Sequence, residues 1–340
     1  MSTALQDIPP AAARFCLGVE RFLLKECGLD PAGLELVLAY SGGADSSALL
    51  HVLLTLSPRL NFRLSLAHLD HALRPDSGRD LLAAEELARS HGLACYTHRT
   101  DVPALAAELN IGKEEAGRVA RQRFLRSVRD ERPERWLVYA HQLNDLAEDV
   151  LMRLIRGSGW PALGGMAALD RRERLCRPLL LTGRAAIENF LHSLNLRWAD
   201  DPLNQDQAFL RNRVRAEILP LFLRENPSFL QAVAGLHRLA SLDARFFQEL
   251  LAPYQEMGMP LAGSDRASML PSAALRGLDQ ALRLRLYKTR LEALGPGQPL
   301  LPGLLALDRA WRHKRTGAVI QFPGRKSAHL EPEGIRFSRE

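Results

Sequence analysis

LVLAYSGGADSSALLHVLL, residues 36–54, joins two patterns across one sharp turn. Leu36–Tyr40 is a short apolar run, as expected of a strand covered on both faces. From Ser47 onward, apolar residues recur at helical spacing. Between the two, Ser41-Gly42-Gly43-Ala44-Asp45-Ser46 must turn a strand into a helix. Two glycines let the backbone bend sharply and approach a ligand without a Cβ clash. A helix start offers unpaired N–H groups and the positive end of the helix dipole, so this turn favours an anion. Ser41 and Ser46 add hydroxyl donors, and Asp45 is suited to holding Mg²⁺ between phosphates. A plain Gly-Gly turn with a capping Asp would use the same glycines. The place after the first strand and the two serines favour the phosphate loop. No GxxxxGK[ST] motif occurs, so no lysine grips the β- and γ-phosphates, which argues against kinase-like γ-phosphoryl transfer. No GxGxxG occurs either, so the dinucleotide fingerprint is missing.

Outward from this turn the same alternation repeats. A helix is predicted over residues 11–29. Strands are expected at Phe62–His68, Leu93–His98 and Trp136–Ala140, with helices at about 76–91, Glu114–Val128 and Asn144–Arg156. Strand–helix alternation predicts an α/β fold: a mostly parallel sheet with helices on both faces and ligands beyond the carboxyl ends of the strands. From about Pro220 the pattern becomes mainly helical, with a loop at 294–303 (GPGQPLLPGL) and short strands in the tail (AVIQF, GIRF). The expected division is a catalytic domain over 1–219 and a smaller, mainly helical domain over 220–340.

Composition narrows the function classes. The chain is 46% hydrophobic and 25% charged, ordinary for a water-soluble protein. No apolar run reaches membrane-spanning length, and MSTALQDIPP lacks the pattern of a signal peptide, so a cytoplasmic protein with no membrane contact is expected. Cys16, Cys27, Cys95 and Cys176 show no CxxC spacing, which weighs against a zinc ribbon, a redox pair or an iron–sulfur cluster. The net charge of +6 is uneven: from Gln205 onward 20 Lys and Arg face 13 Asp and Glu. A basic back half suits a polyanionic partner, although solubilising charge would look the same.

The SGGADS loop resembles that of the ATP-pyrophosphatase (PP-loop) superfamily, and further segments are similar to its lysidine synthetase family. AHLDHALRPDSGRD (67–80) matches a His, Asp-His and Leu-Arg-x-x-Ser pattern; ordinary loop histidines explain His68 and His71 better than a metal pair does. AHQLNDLAEDVLMRLIRGSG (140–159) supplies His141, Asp145, Glu148 and the Arg156–Gly159 ending. Asn144, Leu146 and Asp149 depart from the family pattern there. Asp145 and Glu148 share a helix face and can clamp an amine, although a solvated acidic face has the same spacing. KEEAGRVARQRFL (113–125) carries Arg118 and Arg121, with Gln122 in place of the usual Tyr. DDPLNQDQAFLRNRVRAEILP (200–220) carries Arg211, Arg213 and Arg215.

The resemblance implies ATP on Ser41, Gly42, Gly43, Ala44, Asp45 and Ser46, with Mg²⁺ on Asp45. Asp45, Arg121, His141 and Asp145 become the candidate catalytic residues, Arg121 neutralising charge as AMP leaves. Asp145, Glu148 and Arg211 would hold free L-lysine; Arg213 and Arg215 would meet tRNA phosphate. The implied reaction activates the wobble cytidine of an isoleucine tRNA with a CAU anticodon and joins lysine to it. The implied partners are that tRNA and free lysine, and a homodimer is compatible with the reading. A PP-loop tRNA thiolase is the main rival, and it would need cysteine ligands. Asparagine, GMP and NAD synthetases of the same superfamily are further rivals; the first two would need a glutaminase module.

Overall fold

The computed structural model describes residues 4–72, 77–199, 210–255 and 267–340. The chain divides into two compact units, Met1–Ser241 and Leu242–Glu340.

The first unit opens with α1 (Pro10–Arg21), which continues as a π-helical turn to Glu26. There follow β1 (Glu35–Ala39), α2 (Ala44–Leu60), β2 (Arg63–Asp70), α3 (Gly78–Ser90), β3 (Ala94–Arg99), α4 (Val102–Leu109) and α5 (Lys113–Asp130). Next come β4 (Arg135–Val138), α6 (Leu143–Ile155), β5 (Leu169–Asp170), β6 (Leu175–Cys176) and α7 (Arg184–Ser193). After residues 200–209, which lie outside the described set, follow α8 (Leu210–Arg213), α9 (Leu219–Glu225) and α10 (Phe229–Gln255).

The sheet order is β3-β2-β1-β4-β6-β5, parallel throughout except for β5 against β6. The period-2 alternation of a strand explains how one short run serves two cores. Leu36 and Leu38 enter a cluster with Leu49, Leu53, Ile187 and Phe190, from α2 and α7. Val37, between them, packs with Leu125 and Val128 of α5 on the opposite face. Helices therefore cover both faces, as the alternation predicts. The chain runs β1, β2, β3 in one direction and then crosses to β4 on the other side of β1. That reversal opens a crevice beyond the carboxyl ends of β1 and β4, where doubly wound sheets bind ligands.

The division between the units falls inside α10, not at 219/220. Val214, Leu219, Val233 and Ala234 pack with Leu143, Leu146 and Leu151 of α6, so the chain just after Pro220 belongs to the first unit's core.

The second unit contains β7 (Ala267–Pro271), α11 (Ser272–Leu275), α12 (Gln280–Ala293), α13 (Leu301–Arg312), β8 (Val319–Phe322), β9 (Lys326–Leu330) and β10 (Gly334–Arg339). The two tail segments read as strands are β8 and β10. They join β7 and β9 in an antiparallel sheet, order β7-β10-β9-β8, so this region is helical with a sheet. The expected loop at 294–303 ends early, because α13 starts at Leu301 with Pro302 in its first turn, where proline's missing N–H costs nothing. No helix among the described residues is long and apolar enough to cross a membrane.

Candidate active site

Gly42 holds a φ of 84°, a region glycine enters freely, and the chain then enters α2 with Gly43 as N-cap. The serines brace the turn. Ser41 Oγ lies 3.1 Å from Ser46 Oγ, and Ser46 Oγ donates to Gly43 O at 3.1 Å. Ser47 Oγ, 3.4 Å from Gly42 O, adds a further link that sequence reading overlooked. His68 Nδ1 donates to Tyr40 O at 3.0 Å, which ties β2 to the start of the loop. Among the described residues no group of His, Cys, Asp or Glu could hold a metal ion unaided. His68 thus braces the loop through Nδ1.

Asp45 sits in the first turn of α2, and its carboxyl is pushed up to about 6. Burial is the main cause; Asp145 and Glu188 add repulsion, and Arg184 and Arg215 oppose it. A carboxylate held against its own ionisation beside other carboxylates is a site that gains from a cation.

The second wall is the start of α6. Gln142 caps the helix: its Oε1 accepts from Asn144 N at 2.8 Å, and Asp145 Oδ2 accepts from Gln142 N at 3.0 Å. The cap leaves Asp145 Oδ1 facing outward, where it accepts from Arg211 Nη2 at 2.6 Å and Arg215 Nη2 at 3.3 Å. Glu148, one turn on and almost fully buried, accepts from Arg211 Nε at 2.8 Å and Arg215 Nε at 2.6 Å. Two carboxylates and two guanidinium groups thus form a four-charge cluster.

Arg215, which the resemblance assigns to tRNA phosphate, has its guanidinium on the acidic pair beside Arg211. Arg211 and Arg215 are four residues apart and share a helix face, so the spacing already carried this signal. Arg213, between them, is solvent-exposed. The rest of the 200–220 motif, up to residue 209, lies outside the described residues.

Leu146 is wholly buried in the α6 core, and Asp149 accepts from Arg153 Nε at 2.8 Å, so both departures from the family pattern have local partners. Arg118 pairs with Glu115 on α5, Nε to Oε2 at 2.8 Å. Arg121 is open to solvent, yet protein surrounds it densely, as in a cleft. Arg211, Arg118 and Tyr139 act on it electrostatically, so it shares one neighbourhood with the acidic pair.

His141 follows β4. Its pKa lies well below the ordinary value, first through burial and then through Arg177, Arg211 and Arg121. Arg177, which follows β6, donates from Nε to His141 Nδ1 at 3.1 Å. Sequence reading missed Arg177, because β6 has two residues and shows no periodicity.

The four cysteines are free, and burial pushes the Cys16 and Cys27 thiols up to about 12. Such thiols are inert at neutral pH.

Comparison with known proteins bears on the family and the fold. A PP-loop domain model matches residues 22–222. The tRNA(Ile)-lysidine synthase of Nitratidesulfovibrio vulgaris is 43% identical over 89% of this chain and 91% of its own length. The corresponding synthases of Dehalococcoides mccartyi (33%) and Geobacter sulfurreducens (35%) each align over 80% of this chain, which spans 59% and 57% of their lengths. Among solved structures, the U34-tRNA thiolase of Methanococcus maripaludis, seen with its [4Fe-4S] cluster, superposes with a TM-score of 0.56 at 18% identity. That match covers 68% of this chain and 79% of the thiolase, and it concerns the fold alone. With a relative so similar along nearly its whole length, the chain belongs to the tRNA(Ile)-lysidine synthase family of PP-loop proteins.

Proposed function

We propose that this chain joins the ε-amine of free L-lysine to C2 of the wobble cytidine of an isoleucine tRNA with a CAU anticodon, at the expense of ATP. The supporting observation is the four-charge cluster of Asp145, Glu148, Arg211 and Arg215 beside the phosphate loop of Asp45.

ATP takes the 41–46 loop, its phosphates on the amides that open α2 and on the Ser41 and Ser46 hydroxyls. Asp45 would hold Mg²⁺, which supplies charge neutralisation at the phosphates; the repulsion that raises its pKa fits that role. The target cytidine must leave its stack to reach a site of this kind. Its C2 oxygen attacks the α-phosphate, pyrophosphate leaves, and a poor leaving group becomes a good one. Arg121 stabilises charge at the α-phosphate.

The lysine ammonium is drawn to Asp145 and Glu148. The guanidinium groups beside them favour its neutral form, because a neighbouring cation disfavours a second one. The neutral amine attacks C2, the C2–O bond breaks to release AMP, and the proton shed by the nitrogen passes to solvent. Arg211 and Arg215 keep the acidic pair compensated while the site awaits lysine.

Arg309, Arg312, Lys314 and Arg315 form an exposed basic run in the second unit; Arg309, Arg312, His313 and Gln280 border a cavity of about 320 Å³ there. We assign this run and Arg213 to tRNA phosphate. Replacing Arg309 and Arg312 by Glu is expected to weaken tRNA binding by at least about tenfold and to flatten its salt dependence. Filter binding across a salt series measures both, and an unchanged slope removes the assignment.

Incorporation of radiolabelled lysine into transcribed tRNA tests the reaction itself. ATP-dependent, acid-stable label on the CAU-anticodon transcript is the expected result. ATP cleavage to AMP and pyrophosphate without label sinks lysine as the nucleophile. The thiolase alternative has less support, since the four thiols are dispersed and at least Cys16, Cys27 and Cys176 are buried. The reading places the protein in the cytoplasm with tRNA and allows a homodimer, which sedimentation would test.

A further inference from the structure

We propose that Arg177 is a positioning residue that fixes His141 as a neutral ring protonated at Nε2. His141 then serves as a hydrogen-bond donor to an anionic oxygen in the crevice and is not the base that deprotonates lysine. The inference rests on the function proposed above for what that oxygen belongs to, a phosphate of ATP or of the adenylated cytidine. Its geometric basis is independent of that function.

A guanidinium nitrogen is always a donor, so the 3.1 Å contact from Arg177 Nε requires His141 Nδ1 to accept. A neutral imidazole whose Nδ1 accepts carries its proton on Nε2. The arginine is itself anchored, with Nη1 donating to Ala167 O at 2.6 Å and its guanidinium lying 5.8 Å from the centre of the Tyr139 ring. Tyr139 also stands edge-on to the imidazole, ring centres 5.5 Å apart.

The charged groups that act on the ring come from three further elements: Arg177 after β6, Arg211 in α8 and Arg121 in α5. All three are cationic, and burial adds to them, so protonation of the ring is opposed on every side. A second proton is therefore disfavoured at neutral pH, and the nitrogen that could accept one is already occupied by Arg177. What remains for chemistry is the Nε2–H. Beside three guanidinium groups, a donor of that kind suits a polyanion and not an ammonium.

Ring ¹⁵N spectra of the full chain, labelled at histidine and assigned with His141→Gln, test the tautomer directly. A neutral Nε2–H pattern that persists from pH 7.5 down to pH 6 is expected. An Nδ1–H pattern, or protonation with an ordinary histidine midpoint, overturns the proposal whatever the enzyme's reaction. Arg177→Met should then let His141 titrate at higher pH and populate both tautomers. Lysine transfer should fall by about tenfold at pH 7.5 and further at pH 6, as when a group orienting a histidine is lost. Arg177→Lys keeps the charge and should retain a depressed His141 midpoint. A folded Arg177→Met protein with an unchanged His141 spectrum and pH profile would show that Arg177 is only structural. Failure of lysine incorporation in wild type with the tautomer intact would strike the reaction and leave the positioning role standing.

Discussion

Glu148→Gln is expected to lower both stability and lysine affinity. Glu148 is buried to 1% exposure and receives three hydrogen bonds from Arg211 and Arg215. The amide keeps the shape but removes the charge, and its NH₂ group must then face a guanidinium N–H. Breaking a buried ion pair costs roughly 3–5 kcal/mol; because both arginines are partly open to water, a loss of about 2–3 kcal/mol is the reasonable expectation. The same loss removes half of the negative charge offered to the substrate ammonium. The KM for lysine should rise by about a hundredfold, the scale on which truncated buried charge pairs cost affinity. Urea denaturation and lysine-dependent AMP release at saturating ATP and tRNA measure the two effects. An unchanged KM would mean that lysine is held elsewhere.

Asp45→Asn should do the opposite to stability while abolishing the reaction. Its carboxyl rises from 3.8 to about 6 in the folded chain. With the folded value above the unfolded one, the favourable contribution is complete below about 3.8 and is lost as pH rises through about 6. At pH 7.5 the ionised Asp45 is thus a cost, on the order of 1–2 kcal/mol after allowance for solvent. The Asn variant should resist urea better at pH 7.5, the gain shrinking as pH falls through about 6 and vanishing near 4. ATP-dependent lysine transfer should drop by about a thousandfold, since a charge aimed at the reacting phosphates is gone. In the wild type, ATP-dependent activity should fall below pH 6 as Asp45 takes up a proton. A variant both less stable at pH 7.5 and still active would overturn this account.

The site was legible in the sequence to the extent that its parts lie near one another along the chain. Ser41–Ser46 turns from strand to helix where the pattern changes from an apolar run to helical spacing. Asp145 and Glu148 share a face because they are three residues apart. Their capping contribution was not legible, because Gln142 is an unusual cap and its reciprocal bond with Asp145 appears only in the folded turn. Arg215 carries two spacings at once, alternating with Arg213 and lying about one helical turn from Arg211, and only the folded helix decides which one places its side chain. Short elements such as β5, β6 and α11 left too few residues for any period to register.

By itself the sequence determined the α/β class, the strand–helix alternation from β1 to α6, the sharp turn at 41–46 and the shared helix face of Asp145 and Glu148. Each follows from local periodicity, from glycine's freedom at φ 84° or from spacing within a turn of helix. Only the tertiary structure decided which distant partners meet. Crossing from β3 back to β4 beside β1 brings the 41–46 loop to the acidic end of α6. Arg211 and Arg215 reach carboxylates more than 60 residues earlier, and Arg177 reaches His141 across 36. A hydrophobic pattern tells which face of an element is covered. It does not tell what covers it, and a charge carries no mark of the partner that will neutralise it.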